Sequence, residues 1–168
     1  MPTKQTFTAG QVLTAAQLTT LQDYTGVVQV VTTNKTDNFS TSSSTFVDVT
    51  GVSVSITPTS ASNKVMVIVQ GIVTDASGGA GGRMNLLRGS TNIAQSTGAT
   101  NNQTLPIEQG QNGTPFSIVF IDSPATTSAT TYKIQVRINA GGSSILIGSN
   151  RLNVYGGHTT ITAIEVTP

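Results

Sequence analysis

The sequence predicts an all-β protein, an antiparallel β-sandwich or barrel of about eight strands preceded by a short N-terminal helix. Three observations carry this. From Val27 onward, apolar residues come in short runs, several with strict period two, separated by Gly, Asn, Pro and Ser clusters. No run after residue 25 keeps a helical period of useful length. Charged residues make up only 9% of the 168-residue chain, with Thr and Ser in their place, while the hydrophobic share of 36% still supplies a core.

The exception to the β pattern is residues 10–24. Thr14 is suited to cap a helix, Gln17 three residues on completes a capping box, and Leu13 and Leu18 are placed as a hydrophobic staple. Leu18 and Leu21 share a face. Thr25-Gly26 ends the helix after two to three turns, which is marginal in isolation, so it needs a surface to dock on. The chain therefore divides into an arm, residues 1–25, and a β domain, residues 26–168.

Strands are expected in the following order. GVVQVVTTN (26–34) opens the domain. In TFVDVTGVSVSITP (45–58), Val52, Val54 and Ile56 alternate with Ser53 and Ser55, and Gly51 marks a bulge or tight turn. KVMVIVQGIVT (64–74) is apolar on both faces: Val65, Val67 and Val69 point one way, Met66 and Ile68 the other. GRMNLLRG (82–89) and TNIAQS (91–96) are short. PFSIVFID (115–122) repeats the two-sided pattern, with Phe116, Ile118 and Phe120 opposite Val119 and Ile121. TTYKIQVRIN (130–139) alternates cleanly, with Tyr132, Ile134, Val136 and Ile138 inward and Lys133, Gln135 and Arg137 outward. SILIG (144–148), RLNVY (151–155) and TITAIEV (160–166) complete the set. Between them, residues 98–114 read as one long polar loop, and Ala140-Gly141-Gly142 as the turn of a hairpin joining the strands on either side. Each sheet of a lone sandwich has one solvated face, so the two-sided strands need a second cover. That makes Met66, Ile68, Val119 and Ile121 candidates for an interface between copies of the chain.

The same composition excludes several functions. Net charge is +1, from 8 basic and 7 acidic residues, which leaves no electrostatic footprint for nucleic acid. Without Cys there is neither a disulfide framework nor a thiolate zinc site. No segment approaches the roughly 18 consecutive apolar residues that span a bilayer, and MPTKQTFTAGQ has no apolar run of signal-peptide type. The expectation is synthesis in the cytoplasm, with no membrane insertion. The eight cations are dispersed and read as solvated.

Catalytic motifs are lacking. Asp75 and Asp122 are the carboxylates that a fold could bring together for glycoside hydrolysis, but both read as strand-end residues. His158 has no Gly-x-Ser-x-Gly elbow to serve and reads as a turn or interface residue, able to meet its copies on a threefold axis. GGAGGR (78–83) lacks the Gly-Lys-Ser/Thr ending of a phosphate loop. The chain therefore reads as a non-enzyme without cofactor or metal. With no Trp to stack on sugar, any receptor recognition falls to polar loops, first of all to Asn101, Asn102, Gln103, Gln111 and Asn112 of loop 98–114.

One stretch resembles a known group. TFTAGQVLTAAQL is similar to a leader of bacteriophage virion proteins, matched at Phe7, Thr8, Ala9, Gly10, Val12, Leu13, Thr14, Ala15, Ala16 and Leu18, with Thr19 where Asn is usual. Residues 44–71 and 159–166 look like the first and last strands of β-sandwich domains in phage tail fibre, head fibre and capsid decoration proteins. Together these stretches cover a little under a third of the chain. The resemblance implies a virion component, assembled in the host cytoplasm, with a jelly-roll-like sandwich and commonly trimeric. It implies that an arm containing Phe7, Val12, Leu13, Leu18 and Leu21 attaches the protein to capsid or tail, and it admits contact with a host surface glycan.

Overall fold

The structure is a computed structural model, and it describes residues 8–12, 14–15, 26–76, 81–97, 103–108, 112–139, 141, 144–150 and 156–168. Of the expected arm it describes Val12, which is exposed, and a turn in which the Gln11 amide donates to the Thr8 carbonyl (3.1 Å). Phe7, Leu13, Leu18 and Leu21, and with them nearly all of the expected helix, lie outside the described residues.

Among the described residues, eleven strands form two antiparallel sheets. Sheet A holds β1 (Val27–Lys35), β2 (Phe39–Thr41), β4 (Lys64–Asp75), β8 (Thr114–Asp122), β10 (Ile145–Ile147) and β11 (Thr159–Val166). Sheet B holds β3 (Val47–Ile56), β5 (Gly82–Arg88), β6 (Thr91–Asn92), β7 (Leu105–Ile107) and β9 (Thr130–Ile138). The registers reduce these to eight positions. β11 pairs with β4 over Lys64–Gln70 and β10 over Val73–Asp75, so the two lie end to end along one edge of β4. β1 and β2 continue each other in the same way beside them, and β6 and β7 share the outer edge of β5. In chain order the eight positions run 1-8-3-6 in sheet A and 2-7-4-5 in sheet B, the paired Greek keys of a jelly roll.

Alternation explains which side faces in. Along β9, Tyr132, Ile134, Val136 and Ile138 are buried, as expected from the sequence. Along β3 the phase slips at Gly51, so that Val49 and Val52 are both buried and the register to β9 shifts between Asp48 and Ser53. Gly51 has φ +84°, a conformation that suits glycine, and the Lys35 side chain lies 3.4 Å from where a Cβ would stand. The core closes between the sheets around Val65, Val67 and Val69 of β4, Ile145 and Ile147 of β10, Ile161 of β11, and Met84, Leu86 and Ile134 opposite them.

Three expectations are corrected. Residues 139–144 do not close a hairpin, because β9 belongs to sheet B and β10 to sheet A, so the chain crosses the sandwich there. Residues 98–114 are not one loop, because β7 lies within them and pairs with β5. Lys35 is not solvated. It is 7% exposed, and its ammonium donates to Asp37 (2.8 Å) beside the Gly51 bulge.

Candidate functional site

The outer face of sheet A is apolar across all four positions. Val30 pairs with Ile164, Ile164 with Met66, and Met66 with Ile121, so a single row of β-branched or thioether side chains crosses the sheet. In the adjacent row Thr32, Thr162, Ile68 and Val119 stand side by side, and the two threonine hydroxyls bond each other (3.1 Å). Val30, Val119 and Ile121 are 58%, 61% and 56% exposed. Further along, the face turns polar, through Asn34, Thr160, Gln70 and Ser117. The only charge flanking the apolar rows on these strands is Lys64, opposite Val166. Four strands span about 14 Å between outer backbones, so this is a flat patch rather than a scatter of single side chains.

The structure thus brings four of the expected interface residues, Met66, Ile68, Val119 and Ile121, onto one surface. It separates the fifth. His158 precedes β11 at the end remote from Ile164, is exposed, and stands beyond the polar row. Of the loop residues, Asn112 is exposed and Gln103 half-buried; Asn101, Asn102 and Gln111 lie outside the described residues. The Ser96 amide donates to the Gln103 carbonyl (3.0 Å), tying the neck of the loop that joins β6 to β7.

The carboxylates are arranged as structural groups. Asp75 and Asp122 lie at opposite ends of the β4–β8 ladder, since Asp122 pairs with Val65, and ten residues of strand put them about 33 Å apart. The two acids that the topology does place near each other are Asp122 and Glu165, both opposite Val65 in one inward row, with backbones about 10 Å apart. Each is bound by several donors. Glu165 is fully buried; burial raises its pKa, but hydrogen bonds from Gln29 Nε2, Asn63 Nδ2 (2.6 Å), Thr59 Oγ1 (2.8 Å) and the Thr59 amide (2.7 Å) outweigh it and hold the group down to about 2. Asp122 receives the Arg88 guanidinium on both oxygens (2.8 Å each) and the Tyr132 hydroxyl (2.7 Å). Burial and that bond push the Tyr132 hydroxyl well above its ordinary pKa. A glycosidase acid must keep its proton near neutral pH, and Glu165 does the opposite. Among the described residues no group of three or more His, Cys, Asp or Glu is placed to hold a metal ion.

Both polar clusters escape sequence reasoning because their partners are far apart in the chain. Glu165 joins residues 29, 59 and 63; Asp122 joins 88 and 132.

No protein-family model matches the chain, and no curated protein matches it. Among solved structures, it is similar to a chain of the T=1 particles derived from infectious bursal virus, with 15% identity and a TM-score of 0.40 over 83% of this chain and 36% of that one. A chain in the structure of infectious bursal disease virus, Gx strain, matches with 18% identity and a TM-score of 0.29, over 82% of this chain and 37% of that one. This chain thus spans little more than a third of either relative, and likeness at this level does not say what it does.

Proposed function

We propose that the protein is a non-enzymatic structural component of a phage virion, a homotrimer that packs through the outer face of sheet A and is held to capsid or tail by residues 1–25. The supporting observation is the uncharged row Val30–Ile164–Met66–Ile121, which leaves large apolar side chains in water in a lone chain. The trimer and the arm follow from the resemblance of residues 6–18 to phage virion leaders. Light scattering of the wild type should give three times 17.3 kDa. The doubly substituted chain, Val119→Lys with Ile121→Lys, should give a folded species of 17.3 kDa, because the charges point to solvent in the lone chain and into the contact in the trimer. A wild type that stays monomeric at micromolar concentration refutes the assembly. A chain lacking residues 1–25 should keep both sheets and fail to join the particle; incorporation of that chain refutes the arm.

A second reading places host-glycan contact at residues 98–114. The bond from the Ser96 amide to the Gln103 carbonyl favours it, since it ties together the two described ends of the segment that joins β6 to β7.

A further inference from the structure

Asn112 and Gly113 lie just before β8, where the chain enters sheet A. Of the eleven asparagines in the sequence, Asn112 alone precedes a glycine. Its side chain is exposed, and no hydrogen bond holds it among the described residues. Other asparagines are shielded in ways that this turn does not offer. Asn34 stands in β1 with its Oδ1 taken by Thr160 Oγ1 (2.9 Å), Asn63 is buried and donates to Glu165 (2.6 Å), and Asn85 is buried within β5. Each is followed by a long side chain that screens the next backbone amide. Gly113 has no such side chain, and the fold does not let it acquire one. Its φ is +81°, and a Cβ would stand 2.8 Å from Cγ2 of Ile72. The turn therefore demands the residue that leaves the Asn112 carboxamide open to attack from the following nitrogen.

We propose that Asn112 is a site of spontaneous modification, converting to aspartate and isoaspartate through a cyclic imide formed with the Gly113 amide. The Gly113 nitrogen gives up its proton to solvent base and attacks Cγ of Asn112. The N–Cγ bond forms, the Cγ–Nδ2 bond breaks, and the carboxamide nitrogen leaves as ammonia. Water then opens the imide at one of its two carbonyls. Opening at Cγ gives aspartate on the original backbone. Opening at the α-carbonyl leaves the main chain running through Cβ and Cγ. One water is consumed, one ammonia is released, and nothing is oxidised or reduced. Both products carry a new negative charge, which takes the formal net charge from +1 to zero, a condition in which chains associate more readily. The isoaspartyl form also inserts a C–C bond, about 1.5 Å, into the main chain. It does so directly before Gly113, whose fit against Ile72 sets where Thr114 begins to pair with Val73. The β4–β8 ladder loosens at that end in isoaspartyl chains and keeps its register in aspartyl ones.

The test is incubation of the full-length protein in warm, mildly alkaline buffer, read by isoelectric focusing and by peptide mapping with fragmentation mass spectrometry. Asn112 should convert before any other asparagine, with a new acidic band, at a rate that rises in proportion to hydroxide. Asn112→Ser should lose that band and keep both sheets. Earlier conversion of a different asparagine, or persistence of the band in Asn112→Ser, overturns the proposal. So does a rate much slower in the folded chain than in the urea-unfolded chain, because the turn would then hold the carboxamide away from the Gly113 amide. The backbone consequence has a separate readout. Asn112→Asp carries the charge on an unaltered backbone and should melt with the wild type, whereas the isoaspartyl fraction, isolated by ion exchange and counted by enzymatic isoaspartate methylation, should melt lower. An isoaspartyl fraction that melts with Asn112→Asp overturns that consequence.

Discussion

Asp122→Ala should cost about 3–5 kcal/mol, a large part of the roughly 5–15 kcal/mol that holds a domain of this kind together. Asp122 ends β8 in sheet A, while Arg88 and Tyr132, neighbours across β5 and β9, belong to sheet B. One carboxylate therefore joins the two sheets by three charge-assisted bonds at one end of the sandwich. Removing it strands a guanidinium and a fully buried phenol. Urea denaturation reads the loss directly. Tyr132→Phe, which keeps the ring and the ion pair, should cost only about 1–2 kcal/mol. A loss below about 1 kcal/mol in Asp122→Ala would mean that apolar packing alone holds that end closed.

Glu165→Gln should produce the second large effect, and it should depend on pH. The folded pKa of about 2 lies below the ordinary 4.5, so the carboxylate contributes stability that is complete above about pH 5 and is lost as pH falls toward 2. The shift corresponds to about 3 kcal/mol at neutral pH, or roughly 6–12 °C in Tm for a domain of this size. Wild type and variant should therefore differ most at pH 7 and converge near pH 2. Asp37 and Asp48 are also held low, by hydrogen bonds from Lys35 and from Lys133 with Gln135 respectively, but both are exposed and screened. Comparing the two chains across pH cancels their share. A difference that stays constant with pH would show that the four donors hold Glu165 by shape and not by charge.

The fold class was legible because period-two alternation is local. Tyr132 through Ile138 can be sorted into faces without any partner, and the slip at Gly51 shows within five residues. The two-sided patterns of 64–74 and 115–122 also pointed to the surface that sheet A presents. What was not legible depends on register. The turn at 140–142 has the composition of a hairpin, but nothing in a turn says which sheet receives the next strand. Leu105–Ile107 is too short to show a period and is recognisable only from its pairing with β5. Lys35, dispersed among polar residues, gave no sign that it would be buried beneath a bulge. Arg83 and Arg137 are 54 positions apart, and only the β5–β9 register sets them face to face. His158 was grouped with the apolar residues on chemistry alone, and the geometry places it away from them.

The pairing of β1 with β11 has a consequence for how the protein comes into being. Val27 meets Val166, so the first strand of the domain waits for the last. While the chain is being synthesised, β1 and β4 have no β11 between them, and the sheet cannot form until Val166 has been made. Folding of the domain is therefore dominated by distant contacts, which makes it slow, and the valine-rich segments 27–31 and 65–69 stay open to neighbouring nascent chains until then. Yield in a recombinant host should respond to growth temperature and to chaperone supply more than to the stability of the finished sandwich.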